Sequence, residues 1–156
     1  MASATMLMFK PDCVAGFAHD GRAVGFGDVL GEAMLLGSDG WRLEMGVVVR
    51  LTRDMAERLY AVHRGKAFYE RAVDFAVSGP AFVSVWSSRS DDAWRAGRGV
   101  VEAIRRAYGR DRTDVTGPAN LAHGSDGPET AVEEVRWAMR VFTLRVASAE
   151  GGMTCG

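Results

Sequence analysis

A chain of 156 residues, 47% of them hydrophobic, fits one ordinary domain with a continuous core, expected over residues 1–145 with a disordered C-terminal tail at 146–156. A net charge of −1 with acidic and basic residues interspersed excludes a broad nucleic-acid footprint or a polybasic membrane anchor, so any anion is bound locally. DNA, RNA and membranes are therefore not expected partners.

The early apolar run from Met6 to Phe9 is too short for a signal-peptide core and is followed at once by Lys10, Pro11 and Asp12, which points to a cytoplasmic protein. Cys13 and Cys155 lie far apart without metal-type spacing and read as free thiols. Of 19 basic residues only Lys10 and Lys66 are lysines. A lysine is a compact point charge that can follow a moving phosphoryl group, whereas arginine forks bind anions bidentately.

In chain order, Thr5 to Phe9 is an apolar strand that Pro11 ends, because proline cannot donate to a ladder, and Lys10 therefore sits at a strand end. From Gly16 to Gly31 the glycine content around His19, Asp20 and Arg22 predicts an irregular loop. Gly25, Gly27 and Gly31 lack the spacing of a dinucleotide fingerprint. Glu32 to Leu36 offers one helical face, and Gly37 to Gly40 forms a turn.

The alternation of Leu43, Met45, Val47, Val49 and Leu51 with Arg42, Glu44, Gly46, Val48 and Arg50 predicts a half-buried strand. Thr52 caps a helix carrying Met55, Leu59 and Val62, and a second helix carries Ala72, Val73 and Ala76 before Ser78, Gly79 and Pro80 stop it. A strand runs from Ala81 to Trp86. Ser90, Asp91 and Asp92 then start a helical stretch, Ala93 to Tyr108, which Gly97 and Gly99 are expected to break. A surface loop spans Gly109 to Pro118. Pro128 starts the last helix, with Ala131, Val132, Val135, Ala138 and Met139 as its buried stripe and Trp137 outward, a hint of contact between subunits. The alternation of elements without long crossovers suits an α/β (α+β) ferredoxin-like sandwich, a four-stranded antiparallel sheet with helices on its faces, better than a doubly wound parallel sheet.

The densest chemical signal is the polar loop Asn120-Leu121-Ala122-His123-Gly124-Ser125-Asp126 before the last helix. A neutral imidazole is nucleophilic near pH 7 and can carry a phosphoryl group if an acceptor on its other nitrogen fixes the tautomer. Helical geometry lets Glu134, at the edge of the apolar stripe, lean toward His123 while Glu133 points outward. Ser125 can offer a hydroxyl to the transferring group. His19 and His63 show no carboxylate spacing that would make a metal site.

Asn-x-x-His-Gly-Ser-Asp at 120–126, together with Lys10-Pro11-Asp12, resembles the signature motifs of the nucleoside diphosphate kinase family. The likeness continues through Tyr60, the run from His63 to Phe68, and Ser78-Gly79-Pro80, and covers roughly Thr5 to Met139. It implies a ferredoxin-like core, a ping-pong transfer of the terminal phosphate from nucleoside triphosphate to nucleoside diphosphate through a phosphohistidine, Mg²⁺ bound with the nucleotide, and a homo-oligomer.

Position by position, the resemblance makes His123 the phosphorylated residue and Glu134 its orienting carboxylate. Lys10 becomes a phosphate ligand with Tyr60 near it, Phe68 the base-stacking aromatic, Asn120 the ribose contact and Ser125 the serine beside the histidine. Arg95 and Arg105 best match the phosphate-side arginines, with Arg98 a rival to Arg95. The chain departs from the family in a loop shortened between Gly99 and Arg105, a missing phosphate-contacting threonine, Ala119 in place of an arginine, and extra length between Gly16 and Gly31. Those departures keep alternatives open: a diverged module that binds a nucleotide or a partner protein without turnover, or a phosphotransferase for an unusual nucleotide.

Overall fold

The run Met6-Leu7-Met8-Phe9 is apolar throughout because its strand is buried on both faces, and that strand organises the molecule. In a computed structural model describing residues 3–37, 40–90, 92–112 and 116–151, β1 (Ser3–Phe9) lies inside a four-stranded sheet of order β4-β5-β1-β6. The other strands are β4 (Arg42–Arg50), β5 (Pro80–Ser88) and β6 (Ala122–Gly124), with β1 between β5 and β6, and every pairing is antiparallel. Met6 and Met8 enter one hydrophobic cluster with Ala81, Val83 and Val85, while Leu7 and Phe9 enter the other with Phe82 and Trp86. This is the period-2 alternation of a strand between two helical layers. The first cluster is covered by α3 (Arg53–Leu59), α4 (Tyr69–Ala76) and α6 (Pro128–Gly151), the second by α2 (Phe26–Leu36) and α5 (Ala93–Ala107); α1 (Pro11–Val14) is a single turn after β1. The fold is the expected α+β ferredoxin-like sandwich.

Several local expectations are corrected. The region from Gly16 to Gly31 is not an irregular loop. Phe17–His19 and Arg22–Val24 form a separate two-stranded hairpin, β2–β3, and α2 begins at Phe26. The hairpin turn, Asp20-Gly21, takes φ of 48° and 73°, the positive pair that a tight two-residue turn requires. In β4 the strict alternation fails at a bulge between Leu43 and Met45. Leu43 therefore packs on the second cluster and Val47 and Val49 on the first, while Met45 is exposed.

Thr52 does cap α3, accepting a hydrogen bond from the Met55 N–H at 3.2 Å. Val62 lies beyond that helix in a 3₁₀ turn, Ala61–His63, and is exposed. On α6 the buried stripe includes Ala131, Glu134, Trp137, Ala138 and Val141, whereas Val132 and Met139 face solvent. Trp137 is not outward: its indole N–H donates to the Met55 carbonyl at 2.9 Å, which removes it as a hint of a subunit contact. Helix α6 continues through Gly151, and the rest of the expected tail, 152–156, lies outside the described residues, as do Cys155 and Asp91. Cys13 is free and buried, and burial pushes its thiol up to about 12.

Gly97 and Gly99 do not break α5, which is helical without interruption from Ala93 to Ala107. Gly97 is where the helix lies against the sheet: a Cβ there would sit 2.9 Å from the Thr5 methyl and 3.2 Å from Leu7 Cδ2. Gly97→Ala is expected to lower stability by about 1 kcal/mol in chemical denaturation. Overpacking at ~1–3 kcal/mol outweighs the gain of roughly 1 kcal/mol in helix propensity. A stabilised variant would show that the contact has slack.

Candidate active site

Strand β6 places His123 opposite Met8 of β1, and α6 packs against the same strand, so Glu134 reaches the imidazole from the helical layer. His123 Nε2 donates to Glu134 Oε1 at 2.8 Å, and the Ser125 hydroxyl donates to Glu134 Oε2 at 2.6 Å. With both carboxylate oxygens accepting, the ring proton belongs on Nε2 and the lone pair on Nδ1. Behind this pair the Thr5 hydroxyl approaches Ser125 Oγ at 3.4 Å, and both side chains are fully buried. Ser125 is thus placed to hold Glu134. The hydroxyl that the sequence offered to the transferring group is turned away into the protein.

Tyr60, from the end of α3, sets the edge of its ring against His123, with centroids 5.7 Å apart and planes at 76°. Burial first, and the charge of Glu134 second, hold its phenol well above the ordinary range, so it stays protonated.

Lys10 is buried at 6% exposure, and its ammonium donates to Asn120 Oδ1 at 2.7 Å and to the Pro118 carbonyl at 3.1 Å. Desolvation and the nearby Arg105 bring its pKa down to about 7, against the opposing pull of Asp12. Arg105, on α5, spends its fork on the segment leading to His123: Nε donates to the Asn120 carbonyl at 3.2 Å and Nη2 to the Ala122 carbonyl at 2.5 Å. Burial lowers its pKa from the ordinary guanidinium value.

Two adjoining clefts open on these residues. One, of about 190 Å³, is lined by His123, Arg98, Arg105, Glu102, Asp126 and His63. The other, of about 480 Å³, is lined by Lys10, Tyr60, Phe68, Arg71, Asn120 and His63, with Phe68 half exposed at its mouth. The first brings two arginines and two carboxylates to His123, and the second has a flat, partly apolar wall in Tyr60 and Phe68. Arg98 rather than Arg95 lines the smaller cleft. Arg95 rests on the Trp94 ring at 5.1 Å and pairs with Asp92 at 3.3 Å, away from the cleft lining. Spacing did not separate the two, because Arg95, Arg98, Glu102 and Arg105 follow one another at three or four residues and share one face of α5.

Three residues at the site were missed as candidates, two of them in the cleft linings. His63 is shared by both clefts, its ring against Phe68 at 5.1 Å and its Nδ1 buried without a hydrogen-bond partner. Burial and the neighbouring Lys66 lower its pKa. Arg71 borders the larger cleft, and Asp12, passed over within Lys10-Pro11-Asp12, accepts from the Leu121 N–H at 3.1 Å, two residues before His123.

A family model described as nucleoside diphosphate kinase matches residues 3–143. The chain belongs to the nucleoside diphosphate kinase family. It is 36% identical over 137 residues to the nucleoside diphosphate kinase of Bordetella pertussis, covering 84% of this chain and 88% of that protein. Among solved structures it is similar to a halophilic nucleoside diphosphate kinase from Halobacterium salinarum in complex with CDP, with a TM-score of 0.66 and 26% identity over 88% of this chain and 87% of that one. The Aquifex aeolicus nucleoside diphosphate kinase superimposes with a TM-score of 0.65 at 25% identity over 88% of this chain and 94% of that one. As a member of the nucleoside diphosphate kinase family, the protein is an enzyme that transfers phosphate between nucleotides. The reading as a diverged binding module is not better supported than this one.

Proposed function

We propose that His123 is the residue through which the phosphate passes, taking it on Nδ1 from a nucleoside triphosphate and giving it to a nucleoside diphosphate. The Nε2–H bond to Glu134 Oε1 at 2.8 Å carries this reading, since it leaves Nδ1 as the nitrogen with a free lone pair. Attack of Nδ1 on the terminal phosphorus forms an N–P bond as the bond to the bridging oxygen breaks, and the diphosphate leaves. The imidazole keeps its Nε2 proton and gains positive charge, which Glu134 offsets. The second half-reaction reverses these steps with another diphosphate.

No side chain gives up a proton in this scheme, so the protein's part is positioning and charge stabilisation. Arg98 and Lys10 are the cations for the phosphates, and Arg105 adds charge while holding the loop. Phe68 and Tyr60 form the wall for base and sugar, and Asn120 serves the ribose. Among the described residues no cluster of three His, Cys, Asp or Glu side chains could hold a metal, and Asp126 is engaged by Arg98 at 3.3 Å. That donor set suits Mg²⁺ carried on the nucleotide's own phosphate oxygens, where it would neutralise their charge. The same reading includes self-association and a cytoplasmic setting; among the described residues no helix is long and apolar enough to cross a membrane.

A coupled transfer assay with ATP, a panel of nucleoside diphosphates and Mg²⁺ tests the function, and turnover with several bases is expected. Its absence in a folded protein would overturn the reading. Phe68→Ala is expected to raise KM for different diphosphates to similar extents, because stacking contributes ~1–3 kcal/mol per base and every base has a π-face. A loss confined to one base would mean that Phe68 does not serve as the stacking wall.

A further inference from the structure

We propose that Asp12 is a positioning residue for phosphoryl transfer, its carboxylate holding Leu121 in a left-handed conformation that sets the path of the chain into His123. This rests on the reading of His123 as nucleophile. Leu121 has φ +74°, and among the described residues the only other non-glycine with positive φ is Asp20 in the hairpin turn. The Ala122 N–H donates to the Asn120 carbonyl at 2.9 Å, so Leu121 is the centre of a three-residue turn of the rare, strained hand.

Such a conformation persists only when its surroundings fix it from several sides. Here the Leu121 N–H donates to Asp12 Oδ2 at 3.1 Å, its carbonyl accepts from the Lys10 N–H at 2.8 Å, and its side chain is fully buried. Arg105 grips the carbonyls on either side, those of Asn120 and Ala122. Backbone and packing contacts would survive a change at position 12; only the Oδ2 bond would not. Asp12 Oδ1 is buried without a hydrogen-bond partner, so an asparagine with its Nδ2 on that side keeps an oxygen for the Leu121 N–H. The chain then enters β6 directly, with His123 the second residue after Leu121. A relaxed Leu121 would turn the imidazole away from Glu134 and from the in-line direction, where a misplacement of about 1 Å can cost 10²-fold.

The test is the single-turnover rate at which ATP labelled in its terminal phosphate loads the protein, measured with KM for the diphosphate acceptor in steady state. Asp12→Ala is expected to load at least about tenfold more slowly with KM within about twofold of wild type, since the clefts are untouched. Asp12→Asn, which keeps an oxygen for the Leu121 N–H, is expected to load within about threefold of wild type. Loading of Asp12→Ala at the wild-type rate would overturn the proposal. So would Asp12→Asn as slow as Asp12→Ala, because the charge and not the acceptor would then be what matters. Should Asp12→Ala fail to fold, a tenfold loss in Asp12→Asn still overturns it and near-wild-type loading with a protected Leu121 amide in hydrogen exchange supports it. A wild-type protein that takes up no label would refute the His123 reading itself, a separate outcome.

Discussion

His123→Ala is expected to take up no label from ATP labelled in its terminal phosphate, while wild type takes it up without any acceptor and releases it to a nucleoside diphosphate. The bond in the wild-type protein should be acid-labile and base-stable, as a phosphoramidate is. A phosphoserine at Ser125 would survive acid, and an acyl phosphate at Glu134 would not survive base. The geometry already sets both rivals back: the Ser125 hydroxyl is fully buried and donates to Glu134, and both Glu134 oxygens are accepting hydrogen bonds. His63→Ala is the demanding control, since His63 lines the same cleft as His123. Among the described residues its Nδ1 has no hydrogen-bond partner and no carboxylate fixes its tautomer as Glu134 does for His123, and its ring lies against Phe68. It is expected to keep its label. Persistent labelling of a folded His123→Ala protein would sink the mechanism.

The pairing of His123 with Glu134 was legible in the sequence for a physical reason. Glu134 lies on a helix whose face is set by period, and His123 lies on the short strand β6 a few residues before that helix, so the side of the helix that faces it follows from helix geometry. The arginines were harder to place. Arg95, Arg98 and Arg105 share one helix, and which of them meets the cleft depends on α5 running straight through Gly97 and Gly99, where glycine content argued for a break. Gly97 is there because Thr5 and Leu7 leave no room for a Cβ, a tertiary fact invisible in a single-sequence pattern. The hairpin at Phe17–Val24 was missed although Asp20-Gly21 is a strong turn signal, because the count of surrounding glycines was read as loop. Trp137 was assigned outward because the stripe on α6 was phased on Val132 and Met139, and the actual stripe includes the polar Glu134. A functional carboxylate on the buried face shifts the apparent phase of an amphipathic helix. The role of Asp12 could not be read at all, since it depends on a backbone conformation more than a hundred residues away.

Lys10→Met is expected to cut kcat/KM by about 10²-fold or more, the usual cost of losing a preorganised group at the reacting charge. It should nevertheless leave the protein more stable. Lys10 is buried with its pKa lowered from 10.5 to about 7, first by desolvation and then by Arg105. For a base the sign is clear: between those two values the unfolded chain binds the proton and the folded chain does not, so stability rises with pH across that window. Below pH 7 the folded state carries the full penalty, on the order of 5 kcal/mol at ~1.4 kcal/mol per unit. Methionine removes that penalty and leaves Asn120 Oδ1 and the Pro118 carbonyl without their donor, a loss of about 1–3 kcal/mol. Chemical denaturation at pH 6 should show a net gain of a few kcal/mol that fades as the pH approaches 10. Lys66→Met, whose ammonium lies over the Phe68 ring at 5.9 Å at the cleft mouth, should change neither quantity by more than a few-fold in rate or ~1 kcal/mol in stability. A lysine kept for structure would do the reverse and weaken the fold when removed. The destabilised outcome for Lys10→Met would mean that the ammonium is held by more than Asn120 and Pro118, and equal rate losses for the two lysines would remove Lys10 from the phosphate site.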